Sequence, residues 1–238
     1  MDVSLVIPAY NESENLLPLV DACEAALAAV EGSHEIVIVD DGSTDETGKI
    51  LTSLEADRPL LRTIRHEPGN NIGCHPSELE ALKTVRGGVA LFLPADLQIH
   101  PSSLPLFLEA AERADVVASR RLHRADNVLR RLASGTNNRV ERLLMGVDVH
   151  DAHSSMLLNR RALDEVVPLV VSDSALIPAE ILVRAREHGL RITEVNVEHY
   201  PRTTGRQTGV SLSEILRVQI DLLKLRRRLS REPRTVRG

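Results

Sequence analysis

Five short runs of mostly apolar residues alternate with longer amphipathic stretches through the first part of the chain. The runs are SLVIP (4–8), EIVIVD (35–40), LRTIR (61–65), VALFLP (89–94) and DVVAS (115–119). A strand that is apolar throughout is buried on both faces, as in a parallel sheet covered by helices. The alternation therefore predicts an α/β fold with a mostly parallel central sheet, flanked by helices and joined by right-handed crossovers.

The stretches between the runs are predicted as helices. They span 13–30, 44–55, 76–85, 102–113 and 127–145, and Ser13 is the candidate N-cap of the first. After about residue 146 the pattern loosens. HSSMLLN (153–159) predicts a strand, helices follow near 160–170 and 178–188, and RITEVNVEHY (191–200) alternates like an edge or antiparallel strand.

One domain is predicted to cover residues 1–210, with a nucleotide-binding part (1–120) and an acceptor part (121–210). Residues 211–238 are predicted as a C-terminal amphipathic helix and basic tail. The helix, 211–229, carries an apolar stripe and ends in three arginines at 226–228.

Composition and charge exclude several classes of protein. Aromatic residues make up 2% of the chain and Trp is absent, which argues against nucleic-acid binding on an aromatic platform. Cys23 and Cys74 lack zinc-site spacing and suggest a reducing compartment. With no signal-peptide pattern and no apolar run long enough to span a bilayer, we expect a cytoplasmic protein.

Charge is distributed unevenly along the chain. Residues 1–60 contain 13 Asp/Glu against 2 Lys/Arg, a net charge of −11, whereas residues 214–238 contain 8 Lys/Arg against 3 Asp/Glu, a net charge of +5. The acidic part suits a metal or sugar hydroxyls. The basic tail suits phosphates or peripheral contact with an anionic membrane, although both regions are also compatible with ordinary solvated faces.

Polar residues follow four of the predicted strands. They are PAYNE (8–12), DDGSTD (40–45), NIG (71–73) and ADLQ (95–98). Ligands of open α/β sheets bind beyond the carboxyl ends of the strands, so these segments are the candidate site. A dinucleotide-binding turn would need glycines after the first strand, and PAYNESENL has none, which disfavours a nicotinamide dehydrogenase.

Four stretches together resemble the inverting nucleotide-sugar glycosyltransferases of family 2, which have the GT-A fold. They are SLVIPAYNESENL (4–16), VIVDDGSTDET (37–47), PADLQIHP (94–101) and EVNVEHYPRTTGR (194–206). Within the family the resemblance is to polyprenyl-phosphate mannose or glucose synthases. It implies a Rossmann-like sheet with a small antiparallel addition in the C-terminal half.

The resemblance also implies a nucleotide site. Its residues would be Pro8, Ala9, Tyr10, Glu12, Asp40, Asp41, Asn71, Ala95 and Asp96. Asp40 would accept hydrogen bonds from the base or ribose, and Asp41 would support the turn. A helix-capping turn, with Ser43 or Thr44 as the cap, remains an alternative for this segment.

A divalent cation, Mg²⁺ or Mn²⁺, is implied by the family's Asp-x-Asp pattern after the fourth strand. Pro94 occupies the first Asp position, which leaves Asp96 and Gln98 as oxygen ligands. We expect weak cation binding until a nucleotide diphosphate supplies further oxygens. The alternatives are a dispensable metal or an inactive protein.

The loop after the third strand departs from the family's Asn-x-Gly-Lys-Gly, because Cys74 and His75 follow Gly73. His75 is predicted as a surface turn residue. His199 is either structural or a further metal ligand.

The remaining implied site residues concern phosphate and the acceptor. Arg120 is the candidate contact to an acceptor phosphate, and Arg202 and Arg206 belong to a loop that closes over the diphosphate. Asp151 and Glu180 are candidates for a catalytic base or for positioning the sugar. A loop or cap role for Asp151, and a charge–dipole role for Glu180, remain open.

The predicted reaction is direct displacement with inversion from a UDP- or GDP-sugar to an acceptor, with polyprenyl phosphate favoured. A phosphate oxygen needs no general base, whereas a hydroxyl acceptor would need Asp151 or Glu180. The alternatives are transfer to a soluble hydroxyl acceptor, a non-catalytic nucleotide-sugar-binding protein and a membrane-associated scaffold. A homodimer is left open.

Overall fold

The structure, a computed structural model, describes residues 2–122, 146, 148–201 and 221–228. Seven strands form one sheet. They are β1 (Val3–Ala9), β2 (His34–Asp40), β3 (Leu61–Arg65), β4 (Val89–Phe92), β5 (Val116–Leu122), β6 (Met156–Asn159) and β7 (Ile192–Glu198).

The strand order is β3-β2-β1-β4-β6-β5-β7. β6 pairs antiparallel with both β4 and β5, and every other pairing is parallel. The predicted fold class, a mostly parallel sheet with a small antiparallel part in the C-terminal half, is confirmed. The antiparallel strand is β6. β7 is an edge strand, as predicted, and it runs parallel to β5.

Six helices and two short 3-10 helices connect the strands within the described part. The helices are α1 (Leu16–Leu27), α2 (Thr47–Asp57), α3 (Cys74–Leu82), α4 (Leu104–Ala111), α5 (Arg160–Glu165) and α6 (Ile177–Glu187), and the 3-10 helices are Pro101–Ser103 and Val167–Leu169. α1 begins after Asn15 rather than after Ser13, because the segment between first forms a turn bonded to Glu12. The predicted helix 127–145 lies outside the described residues.

Both faces of the sheet are buried. Leu5, Ile7 and Ile36 belong to one core cluster with residues of α1, α2 and α4. Val6 and Val37 belong to a second cluster with residues of α3, α5 and α6. Successive side chains of a strand point to opposite faces, so a strand covered on both sides must be apolar throughout.

The last described segment, 221–228, is helical. Leu222 and Leu225 are buried in the second core cluster, and Arg226, Arg227 and Arg228 are exposed. The rest of the predicted 211–229 helix lies outside the described residues. Among those described, no helix is both long enough and apolar enough to span a membrane.

Gly42 allows the loop after β3 to cross the end of β2. Its φ is +72°, and a Cβ there would lie 2.8 Å from the backbone of Asn70. The Gly69 N–H donates to the Gly42 carbonyl at 2.8 Å. Any side chain at this position would therefore meet both a left-handed backbone and a steric clash.

We expect Gly42→Ala to destabilise the fold by about 1–3 kcal/mol, the usual cost of a strained backbone position. Urea unfolding measures the change. Gly88→Ala is the matched control, because the nearest atom to its added Cβ is the Asp2 carbonyl at 3.7 Å. Equal stability of the two variants would contradict this account of Gly42.

Candidate functional site

Six of the seven strands run in one direction, so their carboxyl ends meet at one edge of the sheet, here called the carboxyl edge. β6, which runs the other way, begins at this edge. β1 lies between β2 and β4, and the strand order reverses there. Such a switch point opens a crevice between the two loops that leave the sheet, which is where α/β proteins bind ligands.

Hydrogen bonds join the loop after β1 to the loop after β2. The Asn11 side-chain oxygen accepts from the Thr44 N–H at 2.8 Å and the Asp45 N–H at 3.3 Å, and the Asn11 N–H donates to Ser43 Oγ at 3.0 Å. Asn11 has a φ of +53°, a conformation that asparagine tolerates better than most residues. The two loops therefore form one wall of the crevice.

The residues proposed for the nucleotide occupy different environments in this wall. Pro8 and Ala9 are buried in the end of β1, so only their backbone borders the crevice. Tyr10 is 44% exposed, and Glu12 is half-buried. Asn71 is exposed on the loop after β3. The helix-capping alternative is not found, because α2 begins after Glu46 with no side-chain cap.

Asp40 and Asp41 are both buried at the end of β2. Asp40 Oδ1 accepts from the Ser43 N–H at 3.0 Å, which tightens the turn. Its Oδ2 lies 3.1 Å from where a Cβ on Gly48 would stand, so the glycine leaves room for this oxygen.

Asp41 organises the loop after β3. Its two oxygens accept from the N–H groups of Ile72 at 2.9 Å and Gly73 at 2.8 Å, and Oδ1 also contacts the His66 ring at 2.9 Å. Its own N–H donates to the Ala9 carbonyl at 2.8 Å. One residue, through its backbone and its side chain, thus fixes the ends of β1, β2 and β3 relative to the start of α3.

The turn after β4 forms the other wall of the crevice. Leu97 has a φ of +58°, and Asp96 Oδ1 accepts from the Gln98 N–H at 3.1 Å. The Gln98 carbonyl accepts from the Tyr200 N–H at 2.9 Å, and its side-chain amide donates to the Tyr200 carbonyl at 3.4 Å. Asp96 is half-buried, Ala95 is buried, and the turn is held against the end of β7.

Asp41 and Asp96 both act electrostatically on Cys74, the first residue of α3. The pKa of the Cys74 thiol is raised, first by desolvation and then by the charges of Glu78, Asp41 and Asp96. All three carboxylates are therefore within electrostatic reach of one sulfur.

The donor groups at the turn after β4 fit a hard cation with few protein ligands. Asp96 and Gln98 offer a carboxylate and an amide oxygen, which Mg²⁺ and Mn²⁺ accept. Within the described ranges, no group of three or more His, Cys, Asp or Glu side chains could hold a metal ion. Water and a phosphate ligand would have to supply the remaining positions.

Arg120 is exposed near the end of β5, at the carboxyl edge. Within the described part of the chain, its guanidinium makes no hydrogen bond or ion pair. The neighbouring Arg121 forms a bidentate pair with Asp151, with Nε–Oδ2 at 2.6 Å and Nη2–Oδ1 at 3.0 Å. Asp151 is buried, so its charge is committed to Arg121.

Glu180 is fully buried in the first turn of α6. Its carboxylate accepts from the Val171 N–H at 3.1 Å, the Ser172 N–H at 2.8 Å and Arg184 Nε at 2.7 Å. These contacts hold the segment before α6 against the helix. They give Glu180 a structural role, and its predicted role as a base or sugar contact stays a prediction.

One of the two candidate histidines, His75, differs from its prediction. His75 is not a surface turn residue. It lies half-buried in the first turn of α3, bonds Glu78 at 2.9 Å and packs near Phe92 and His153. His199 is buried at the end of β7. Arg202 and Arg206 lie outside the described residues, and their roles remain predictions.

Two residues of the carboxyl edge are not among the predicted site residues. Arg121 pairs with Asp151, and His66 bonds both Asp41 and Glu80. His66 follows the third apolar run directly. Applying the strand-end rule to that run, as to the others, would have indicated it. The pairing of Arg121 with a residue 30 positions away has no local sequence signal.

A family comparison supports the motif-based prediction. Residues 4–167 match the model of Glycosyl transferase family 2. The chain belongs to this family.

Curated relatives of this family 2 chain include the undecaprenyl-phosphate 4-deoxy-4-formamido-L-arabinose transferases of Yersinia enterocolitica serotype O:8 and Yersinia pestis (strain Pestoides F). Each is 32% identical over 222 residues, or 93% of this chain. The chain spans 66% of the length of these relatives.

Solved structures agree with the fold. Glucosyl-3-phosphoglycerate synthase from Mycobacterium tuberculosis, in complex with Mn²⁺, UDP-glucose and phosphoglyceric acid, matches with a TM-score of 0.69 and 18% identity. The match covers 94% of this chain and 79% of the synthase. At this identity the similarity shows the GT-A fold alone.

We expect Glu180→Ala to lower the free energy of unfolding by about 3–5 kcal/mol, because Arg184 would lose its buried partner. Glu180→Gln keeps the size of the side chain and should cost about 1–3 kcal/mol. Urea unfolding measures both, and Glu187→Ala, an exposed change in the same helix, is the control. Wild-type stability of Glu180→Gln together with lost turnover would instead support a catalytic role.

Proposed function

We propose that the protein transfers a sugar, with inversion, from a nucleoside-diphosphate sugar to a polyprenyl phosphate. An acceptor oxygen forms a bond to the anomeric carbon while the bond from that carbon to the diphosphate oxygen breaks, and the nucleoside diphosphate leaves. Support comes from family membership, from curated relatives named for transfer to undecaprenyl phosphate, and from the crevice at the carboxyl edge.

The donor fits the crevice between the two walls. Asp40 is positioned to accept hydrogen bonds from a base or ribose, and Tyr10 offers an exposed ring beside it. Asp41 fixes the loop that carries Asn71. The nucleotide then lies along the ends of β1 and β2, and its diphosphate reaches the turn after β4.

Asp96 and Gln98 would hold Mg²⁺ or Mn²⁺ against the diphosphate. A bound cation would offset the negative charge that develops on the leaving group. The structural neighbour crystallised with Mn²⁺ and UDP-glucose supports this use of the fold. Because Pro94 removes one carboxylate, most of the cation's oxygen ligands would come from the donor and water.

The assignment of a phosphate acceptor rests on the hydrogen bonds and ion pairs of two acidic residues. Asp151 is committed to Arg121, and Glu180 is committed to two backbone N–H groups and Arg184. Neither is free to take a proton from a hydroxyl. An acceptor that is already anionic needs no base, and Arg120, which bonds no other described residue, could bind its phosphate in a bidentate manner.

Transfer to a soluble hydroxyl acceptor is the second candidate. It is favoured by one observation, the similarity in fold to a synthase crystallised with phosphoglyceric acid. The higher identity to the undecaprenyl-phosphate transferases, 32% against 18%, weighs toward the lipid acceptor. A lipid acceptor would bring the protein to the membrane surface.

A thermal-shift panel of UDP-, GDP-, dTDP- and CDP-sugars, with and without Mn²⁺, tests the donor. We expect one nucleotide to raise the melting temperature, and to do so more strongly with Mn²⁺ present. The stabilising sugar is then assayed with undecaprenyl phosphate and with 3-phosphoglycerate. No stabilisation by any sugar nucleotide would reject a donor-binding protein, and stabilisation without transfer would support a non-catalytic one.

Cation binding is expected to depend on the nucleotide. Titration of Mn²⁺ by electron paramagnetic resonance should give tight binding only with the nucleoside diphosphate present, and Asp96→Asn should abolish it. Pro94→Asp restores a second carboxylate and should tighten nucleotide-free Mn²⁺ binding about tenfold or more. Asp45→Asn, in the opposite wall, is the control. Tight Mn²⁺ binding to the unliganded wild-type protein would contradict the expectation that the protein supplies few of the cation's ligands.

Arg120→Ala should raise the KM for the lipid phosphate about ten- to hundredfold, the cost of one charge-assisted hydrogen bond, with little change in kcat. Initial rates at varied lipid concentration measure this effect. Arg113→Ala removes an exposed arginine just before β5 and is the control. An unchanged KM for the lipid would remove Arg120 from the acceptor site.

A further inference from the structure

His66 links three elements at the carboxyl edge. It follows β3 directly, and its side chain is 11% exposed. Its Nδ1 lies 2.9 Å from Asp41 Oδ1, and its Nε2 lies 2.7 Å from Glu80 Oε2 on α3. The backbone N–H of His66 donates to the Asp40 carbonyl at 3.0 Å, so the backbone and the ring of His66 are both held in place.

Both ring nitrogens face carboxylate oxygens, which accept hydrogen bonds and cannot donate them. A neutral imidazole carries a proton on only one nitrogen, so it can satisfy only one of the two contacts. The imidazolium ion donates to both. The observed geometry therefore matches the protonated ring, held between two negative charges.

The contact to Asp41 connects this ring to the nucleotide site. The same Asp41 oxygen that meets His66 also accepts from the Ile72 N–H, and the other oxygen accepts from the Gly73 N–H. Loss of the His66 proton would set a lone pair against Asp41 or against Glu80. Either outcome weakens one of the two contacts by which His66 joins Asp41 and α3.

Other charged residues lie near His66, Asp41 and Glu80 in the chain, and within the described residues none of them bonds the ring. They are Asp40 on β2, Arg65 and Glu67 on either side of His66 in the chain, and Glu78 and Lys83 on or beside α3. Arg65 bonds Thr63, Thr52 and Glu55, and Glu78 bonds His75. Asp41 and Glu80 are thus the partners of the ring.

We propose that His66, in its protonated form, is a positioning residue that holds Asp41 and the 66–73 loop in the shape that binds the nucleotide of the donor. The proposal rests on the nucleotide site assigned under the proposed function. It gives donor binding a dependence on pH that none of the residues touching the nucleotide would supply.

The direction of that dependence follows from the site. Desolvation lowers the pKa of His66, and the hydrogen bonds and charges of Glu80 and Asp41 outweigh it, so the pKa is raised. A raised pKa in the folded state means that the contribution is complete below the ordinary histidine value of about 6.5. It is lost as the pH rises through the higher folded value.

Two measurements test the proposal. Isothermal titration with UDP-glucose and Mg²⁺ is made from about pH 6 to about pH 8.5, a range in which this diphosphate diester does not titrate. We expect the Kd to rise several-fold across that range. Hydrogen exchange of the Ile72 and Gly73 amides, corrected for the intrinsic rate, should lose protection over the same range without any ligand.

Three variants separate positioning from mere structure. His66→Gln should bind more weakly at low pH and show no pH dependence. Glu80→Gln keeps the Asp41 contact and should shift the midpoint to lower pH. His188→Gln changes the histidine that directly follows α6, and it should leave the pH dependence of the wild-type protein unchanged.

A wild-type pH profile in His66→Gln, or an unmoved midpoint in Glu80→Gln, would overturn the proposal. Constant amide protection across the range would overturn it as well. If UDP-glucose binds at no pH, that result excludes this sugar nucleotide as the donor, and the titration is repeated with the one that the thermal-shift panel selects. The exchange measurement needs no nucleotide and still decides the role of His66.

Discussion

The buried carboxylate of Asp41 is the interaction on which the carboxyl edge depends. Withdrawing a charged group from water is costly, and this one is offset by two backbone N–H groups and the His66 ring. Those three donors come from one loop, whereas Asp41 itself is fixed to β1 through the Ala9 carbonyl. The loop after β3 has few apolar contacts of its own, because residues 67–72 are exposed. Its shape is therefore set by hydrogen bonds, which makes it sensitive to the charge state of its partners.

The sheet was predictable because burial on both faces leaves a simple trace, a continuous apolar run. Five of the strands and their approximate limits follow from that trace, and β7 follows from its alternation of apolar and polar residues. The position of β6 between β4 and β5 does not, because an antiparallel insertion of four residues carries no signal of its neighbours. The family motifs predicted which residues lie at the carboxyl edge. They could not predict the partners of Asp151 and Glu180. A motif indicates that a carboxylate is present, but not whether it is solvated or paired.

Pro94 illustrates how one missing carboxylate changes the chemistry of a site without changing its fold. The Leu93 N–H still donates to the Val6 carbonyl, and the chain leaves the sheet at the next residue, where a proline removes little from the ladder. Asp96 remains, with one oxygen already accepting from the Gln98 N–H. On the proposed function, the protein would provide too little negative charge for tight cation binding, and a diphosphate would bring the rest. Binding of donor and cation would be coupled as a consequence, each raising the affinity of the other.

Charge is also balanced near the end of β5, where we propose that the acceptor binds. Arg121 and Asp151 neutralise each other in a buried bidentate pair, which leaves the adjacent Arg120 as a positive charge facing water. An acceptor hydroxyl would find neither a base nor a compensating group there. An acceptor phosphate would find a guanidinium and would bring its own nucleophilic oxygen. The anionic acceptor would also stand opposite an anionic leaving group, so the cation at Asp96 and the charge of Arg120 would be needed together to let the two approach.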